Sequence, residues 1–223
     1  MLQRFHNVIF DLDGLMCDTE PLYQRATNIV IQAAGADHEF QAEEYGRLMT
    51  GRSVLLNSEA MRERFALEAS AQDLADAILA VFNVLISDAN NIEPMPGLEK
   101  LLEFLTGQHI KLAVASGSQP EHVDKMLRAL NLIHTFPVIA GSDASVKRKP
   151  APDIYLHALQ RLGASAGESL AIEDSLSGVR AARAAGIFVI AVKNDFTRTH
   201  DLSEADLVLQ SLFEVKDYLS REG

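Results

Sequence analysis

Apolar and polar positions alternate along this chain with two different periods. Val8-Ile9-Phe10 is a short apolar run that stops at Asp11. Ile110 to Ala115 stops at Ser116, and Ser169 to Ile172 stops at Glu173-Asp174. Ile187 to Val192 is a further run rich in branched residues, with weaker candidates at Phe136 to Ala140 and Asp206 to Leu209. Short continuous apolar runs predict strands buried on both faces, as in a parallel sheet. Between them the spacing changes to three and four. Leu98, Leu101, Leu102 and Leu105 follow Pro96-Gly97, and Val123, Met126, Leu127 and Leu130 follow Pro120. Ile154, Leu156 and Leu159 follow Pro152-Asp153 and stop at Gly163, while Ser177 to Ala185 stops at Gly186. Proline suits a first helical turn and glycine a helix C-terminus, so these four segments predict helices. Strand and helix alternate from Met95 onward, which predicts an α/β fold: a Rossmann-like parallel sheet with helices on both faces.

Thr19 to Glu93 breaks the alternation. It holds no convincing strand and reads as helices interrupted near Gly35, Gly51 and Ser70. The expected organisation is therefore a core of residues 1–18 and 95–223, with an all-helical insert at 19–94 after the first strand. The insert has no lysine; the first in the chain is Lys100.

Composition narrows the partners. With 48% hydrophobic residues in 223, the chain can bury a sizeable core. A formal net charge of −11 gives little attraction to nucleic acid or to an anionic membrane surface, and neither is expected as a partner. The single cysteine, Cys17, excludes an internal disulfide and a cysteine-rich zinc site. No apolar run approaches the roughly 18 residues of a membrane span, and the first residues turn polar too soon for a signal peptide. The expectation is a cytoplasmic monomer. The seven histidines are scattered without metal-ligand spacing, and surface positions are expected for them.

The strand ends carry the chemistry. In open parallel sheets, ligands bind beyond the carboxyl ends of the strands. Asp11 and Asp13, Ser116, and Glu173 with Asp174 should therefore converge there. Such an acidic cluster is repulsive without a cation. Hard oxygen donors in a small cleft suit Mg²⁺.

Four motifs then stand in order. Asp11-Leu12-Asp13-Gly14-Leu15-Met16-Cys17-Asp18-Thr19-Glu20 resembles the first motif of the haloacid dehalogenase superfamily, in its sugar-phosphatase and beta-phosphoglucomutase branch. Ala115-Ser116-Gly117-Ser118 resembles the second, and Lys149-Pro150-Ala151-Pro152-Asp153-Ile154-Tyr155 the third. Ile172-Glu173-Asp174-Ser175-Leu176-Ser177-Gly178-Val179-Arg180-Ala181-Ala182 resembles the fourth. Read singly, each has a bland alternative: a turn with solvated acids at Asp11 and Asp13, a basic surface turn at Lys149. Two positions depart from the family pattern: Leu15 where Val or Thr is commoner, and Arg148 where Gly usually precedes the lysine.

The resemblance implies a Mg²⁺-dependent phosphatase. Asp11 would be the nucleophile and Asp13 the general acid and base. Asp11, Asp13 (through its backbone carbonyl) and Asp174 would bind the metal, with Glu173 binding directly or through water. Ser116, Gly117 and Lys149 would hold the phosphoryl group of a small phosphorylated metabolite. The insert would be a cap hinged at Asp18-Thr19 and Ile92 to Pro96, with Arg47 and Arg52, flanking Gly51, as its substrate contacts. Asp13 argues against a hydrolytic dehalogenase, and the lysine-free insert against Schiff-base chemistry. A beta-phosphoglucomutase-like isomerase remains the main alternative, and a non-catalytic binding module a further one. The excess of acids over arginines in the insert favours the phosphatase.

Overall fold

The computed structural model describes residues 4–142 and 147–221. Its centre is a six-stranded sheet: β1 (Asn7–Phe10), β2 (Lys111–Ala115), β3 (Val138–Ala140), β4 (Ser169–Glu173), β5 (Phe188–Val192) and β6 (Leu207–Leu209). The spatial order is β3-β2-β1-β4-β5-β6, and every neighbouring pair is parallel. Strand order reverses on either side of β1, which opens a crevice at the carboxyl edge there. The register fixes what lines it. Phe10 pairs with both Val114 and Ile172, so the residues just beyond these three emerge level with one another.

Side chains leave a strand on alternate faces, and the core divides accordingly. Val8, Phe10, Val114 and Ile172 pack with α5 (Leu98–Gly107), α6 (Pro120–Ala129) and α9 (Leu212–Arg221). Ile9, Ala113, Ala171 and Val189 face α7 (Asp153–Leu162) and α8 (Leu176–Ala184). The second face is rich in alanine on both sides, so α8 lies close to the sheet through Ala181 and Ala182.

Between β1 and α5 the chain forms α1 (Glu20–Ala33), α2 (Ala42–Leu48), α3 (Val54–Phe65) and α4 (Ala71–Leu85). Ser53 and Ser70 open α3 and α4 by accepting from Leu56 N and Asp73 N, which satisfies donors the first turn leaves free. The Tyr23 ring of α1 stacks on Phe82 of α4 at 3.8 Å. The chain leaves and re-enters this layer side by side: Met95 N donates to Met16 O at 2.9 Å, and Cys17 bridges Pro94.

Some expectations need adjustment. β2 starts at Lys111 because the Ile110 N–H is taken by Leu105 O at the end of α5. His122 is 6% exposed, not a surface residue. It shares the inner face of α6 with Met126, four residues on, and meets the Phe82 ring at 5.8 Å. Burial, then the nearby Lys125 charge, holds its pKa below the usual histidine value. Arg64 is exposed but not idle: it pairs with Glu44 at 2.7 Å and lies over the Phe40 and Phe65 rings. Among the described residues, no helix is long and apolar enough to cross a membrane.

Candidate active site

Asp11 is the first residue past β1, and its N–H completes the ladder to Ile172 O at 3.0 Å. Its carboxylate is buried, and Oδ1 accepts from Lys149 Nζ at 2.5 Å. The same ammonium reaches Glu173 Oε1 at 2.6 Å and Ala115 O at 3.0 Å. Three donors on one lysine are thus spent on groups from β1, β2 and β4. Lys147 is exposed, so of the two lysines flanking Arg148 it is Lys149 that enters the site.

Glu173 is fully buried and saturated. Beyond Lys149, Oε1 takes the Tyr155 hydroxyl at 2.6 Å. Oε2 takes Asp174 N, Ser175 N and the Ser175 hydroxyl at 3.2, 3.3 and 3.1 Å. A Cβ on Gly178 would lie 1.9 Å from Oε1, so the first turn of α8 needs glycine for the carboxylate to fit. Asp174 accepts from Asn194 Nδ2 at 2.8 Å. The carboxylates of Asp11, Glu173 and Asp174 offer oxygens all within 4.8 Å of one another.

Three acids share this space with one lysine. Burial pushes the Asp11 carboxyl up to about 8; Lys149 pulls it down, and Glu173 and Asp13 push it further up. Asp174 is raised well above the carboxylate range by burial, then by Asp11 and Glu173. Burial works against the Lys149 charge, but Asp11 and Glu173 more than offset it and hold the lysine protonated. Hard, buried, mutually repelling oxygens fit a small divalent cation. With Glu173 already holding five donors, Asp11 and Asp174 are the side chains best placed to bind one.

Asp13 faces a different set of groups. Its Oδ1 accepts from the Thr19 hydroxyl at 3.1 Å, and Oδ2 from the hydroxyls of Ser116 and Ser118 at 3.1 and 2.8 Å. The buried Ser116 hydroxyl also accepts from Ser118 N at 3.0 Å. Gly14, at φ +80°, turns the chain between the two aspartates and Cys17; a Cβ there would lie 2.3 Å from Asp174 Oδ2.

A cavity of about 240 Å³ opens over these residues. Asp11, Asp13, Gly117, Lys149 and Asp174 line its floor, and Arg148 joins them from beside Lys149. The roof comes from α1 to α3 and their connections: Glu20, Tyr23, Tyr45, Thr50, Arg52 and Asn57. Arg52 is therefore at the site, although its Nη1 donates to Leu48 O at 3.2 Å. Arg47 is exposed on α2 and is not among the described residues lining the cavity.

Sequence reasoning did not single out several groups that the structure brings here. Glu20 accepts from the Thr50 hydroxyl at 3.0 Å. Burial lifts its carboxyl to about 7, with Thr50 pulling down and Asp13 pushing up. Tyr155 lies within the third motif and Glu20 within the first, so both were adjacent to readable signals. Asn194 lies two residues past β5, at the same sheet edge, where the strand-end rule points as well.

Comparison with known proteins gives a consistent picture. The family described as haloacid dehalogenase-like hydrolase matches residues 8–192. Protein CbbY of Rhodobacter capsulatus is 33% identical over 89% of this chain and 90% of its own length. A phosphorylated carbohydrates phosphatase of Thermotoga maritima is 32% identical over 92% of this chain and 90% of its own. The crystal structure of CbbY from Rhodobacter sphaeroides in complex with phosphate is 31% identical, with a TM-score of 0.78, over 95% of this chain and 96% of that one.

Proposed function

The chain belongs to the haloacid dehalogenase-like hydrolases and is a phosphoric monoester hydrolase; from that premise we propose that it removes phosphate from a small phosphorylated sugar through a phosphoaspartate on Asp11. One observation carries the reading: Asp11, Asp13, Lys149 and Asp174 meet on the floor of a single cavity roofed by polar residues of the helical layer.

Asp11 Oδ2 has no hydrogen-bond partner among the described residues, so this oxygen is free to attack phosphorus. As the Asp11–phosphorus bond forms, the bond to the sugar oxygen breaks, and Asp13 gives that oxygen its proton. Asp13 then takes a proton from water, which attacks the phosphoaspartate. Inorganic phosphate leaves and the Asp11 carboxylate is restored. Gly117 meets the phosphoryl oxygens at the cavity floor, and the Lys149 charge, its donors held by Asp11, Glu173 and Ala115, offsets charge that builds on them. Ser116, expected from the sequence to hold them too, is buried and does not line the cavity, its hydroxyl being given to Asp13. Asp11, Asp174 and the Asp13 carbonyl would hold Mg²⁺, whose charge when bound further neutralises the phosphoryl group. Glu173 acts behind them, fixing Lys149.

The helical layer of residues 19–94 acts as a cap that excludes water and selects the substrate. Arg52, Thr50, Glu20 and Asn57 present hydrogen-bonding groups to the leaving sugar. The likeness to a carbohydrate phosphatase supports a sugar as that leaving group.

The test is phosphate release from a panel of sugar monophosphates with Mg²⁺ present and then chelated, alongside Asp11→Asn. Release that needs both Mg²⁺ and Asp11 is expected. Beta-glucose 1-phosphate with a trace of the 1,6-bisphosphate separates the alternatives: rapid glucose 6-phosphate formation, with little phosphate from any substrate, would identify a mutase instead.

A further inference from the structure

The loop after β5 reaches the site by a route that catalysis as described does not use. Asn194 has every side-chain valence filled. Its Nδ2 donates to Gly14 O at 2.9 Å and to Asp174 Oδ2 at 2.8 Å. Its Oδ1 accepts from Phe196 N, Thr197 N and the Thr197 hydroxyl at 2.9, 2.8 and 3.0 Å. Thr197 is fully buried, and its hydroxyl also takes Asn194 N at 3.0 Å, so the amide is locked at both ends. The loop is seated on α2. A Cβ on Gly46 would lie 3.1 Å from Phe196 O, and the His200 ring meets Gly46 O at 3.3 Å.

From this we infer that Asn194 is a positioning residue, which aims the Asp174 carboxylate at the metal and ties it to the Gly14 turn that follows Asp13. Only an amide does both tasks at once: it gives two N–H donors to one side and an acceptor to the other. A carboxylate ligand held by such a partner keeps one oxygen occupied and directs the other inward. The inference rests on the reading that Asp174 holds Mg²⁺. The seat on α2 also means that the loop holding Asp174 touches the helical layer, through Phe196 and His200 against Gly46.

The test measures Mg²⁺ affinity by calorimetric titration of the folded protein without substrate, so that no turnover enters the readout. Asn194→Ala should weaken Mg²⁺ binding by about 10- to 100-fold, the range found for partners that orient metal ligands. Thr197→Val should weaken it in the same direction, and Thr197→Ser, which keeps the hydroxyl, should bring it back toward wild type. This pair preserves the test if Asn194→Ala does not fold. Wild-type affinity in Asn194→Ala, or equal affinity in Thr197→Val and Thr197→Ser, would overturn the positioning role. Absence of Mg²⁺ binding by the wild-type protein would instead remove the metal reading, and this inference with it.

Discussion

Lys149→Met should destabilise the metal-free protein by an amount that grows with pH. The side chain is 10% exposed, and it neutralises Asp11 and Glu173, which are 8% and 0% exposed, at 2.5 and 2.6 Å. Removing one partner of a buried ion pair leaves an uncompensated charge and costs about 3–5 kcal/mol. For a chain of this size each kcal/mol lowers Tm by about 2–4 °C, so a fall of about 6–20 °C is expected near pH 8. The pH dependence comes from the acids. Asp11 is raised from 3.8 to about 8, so its ionisation opposes folding. Its favourable contribution is full below the ordinary carboxylate value and is lost as pH rises through about 8. Without the lysine that carboxyl rises further, so at pH 5 it stays protonated and the variant loses less. Urea denaturation at pH 5 and pH 8, in chelator, measures both differences. Adding Glu173→Gln to Lys149→Met should recover part of the loss at pH 8, because one buried charge then disappears with its partner. Equal destabilisation at the two pH values would place the loss in packing and refute the charge argument.

Asp11→Asn should abolish phosphate release while raising the Tm of the metal-free protein at pH 8 above wild type; a lower Tm there would contradict the raised carboxyl. Asp174→Ala should reproduce the loss of activity seen on chelation, and Ca²⁺, which prefers more ligands at longer distances, should inhibit when it replaces Mg²⁺. Gly178→Ala should destabilise by about 1–3 kcal/mol through overpacking and depress turnover by displacing Glu173, read by denaturation and by initial rates. Arg52→Ala should raise KM for a sugar phosphate more than it lowers kcat, since Arg52 lies on the roof, away from the reacting atoms; a pure kcat effect would remove it from substrate binding.

The sheet was legible because buried parallel strands leave short apolar runs, and each run ends on the residue it delivers to the crevice. Asp11, Ser116 and Glu173 could be placed at one edge from that rule, and their register follows from the pairing of Phe10 with Val114 and Ile172. What a linear pattern does not carry is the direction of a side chain. Nothing in the spacing says that Glu173 spends its oxygens on Lys149, Tyr155 and Ser175. Nor does it separate Arg47 from Arg52, five positions apart, of which only the second lines the cavity. His122 is one of seven scattered histidines without metal-ligand spacing, and that pattern does not carry its burial. Its burial is decided by α4, which supplies Phe82 from forty positions upstream.

The paired crossing at Met16–Met95 and Cys17–Pro94 has a consequence for how this chain can vary. Closing a loop grows costlier only with the logarithm of its length. Here the two ends are already fastened together at the rim of the sheet. The strands of the catalytic layer therefore experience the intervening helices as a loop whose ends are fixed, almost whatever its size. Residues can be gained, lost or exchanged between Thr19 and Glu93 while β1 keeps its pairing with β2 and β4. The proposed cap can thus change in length and sequence away from its contacts with the core without disturbing the strands that carry the acidic cluster.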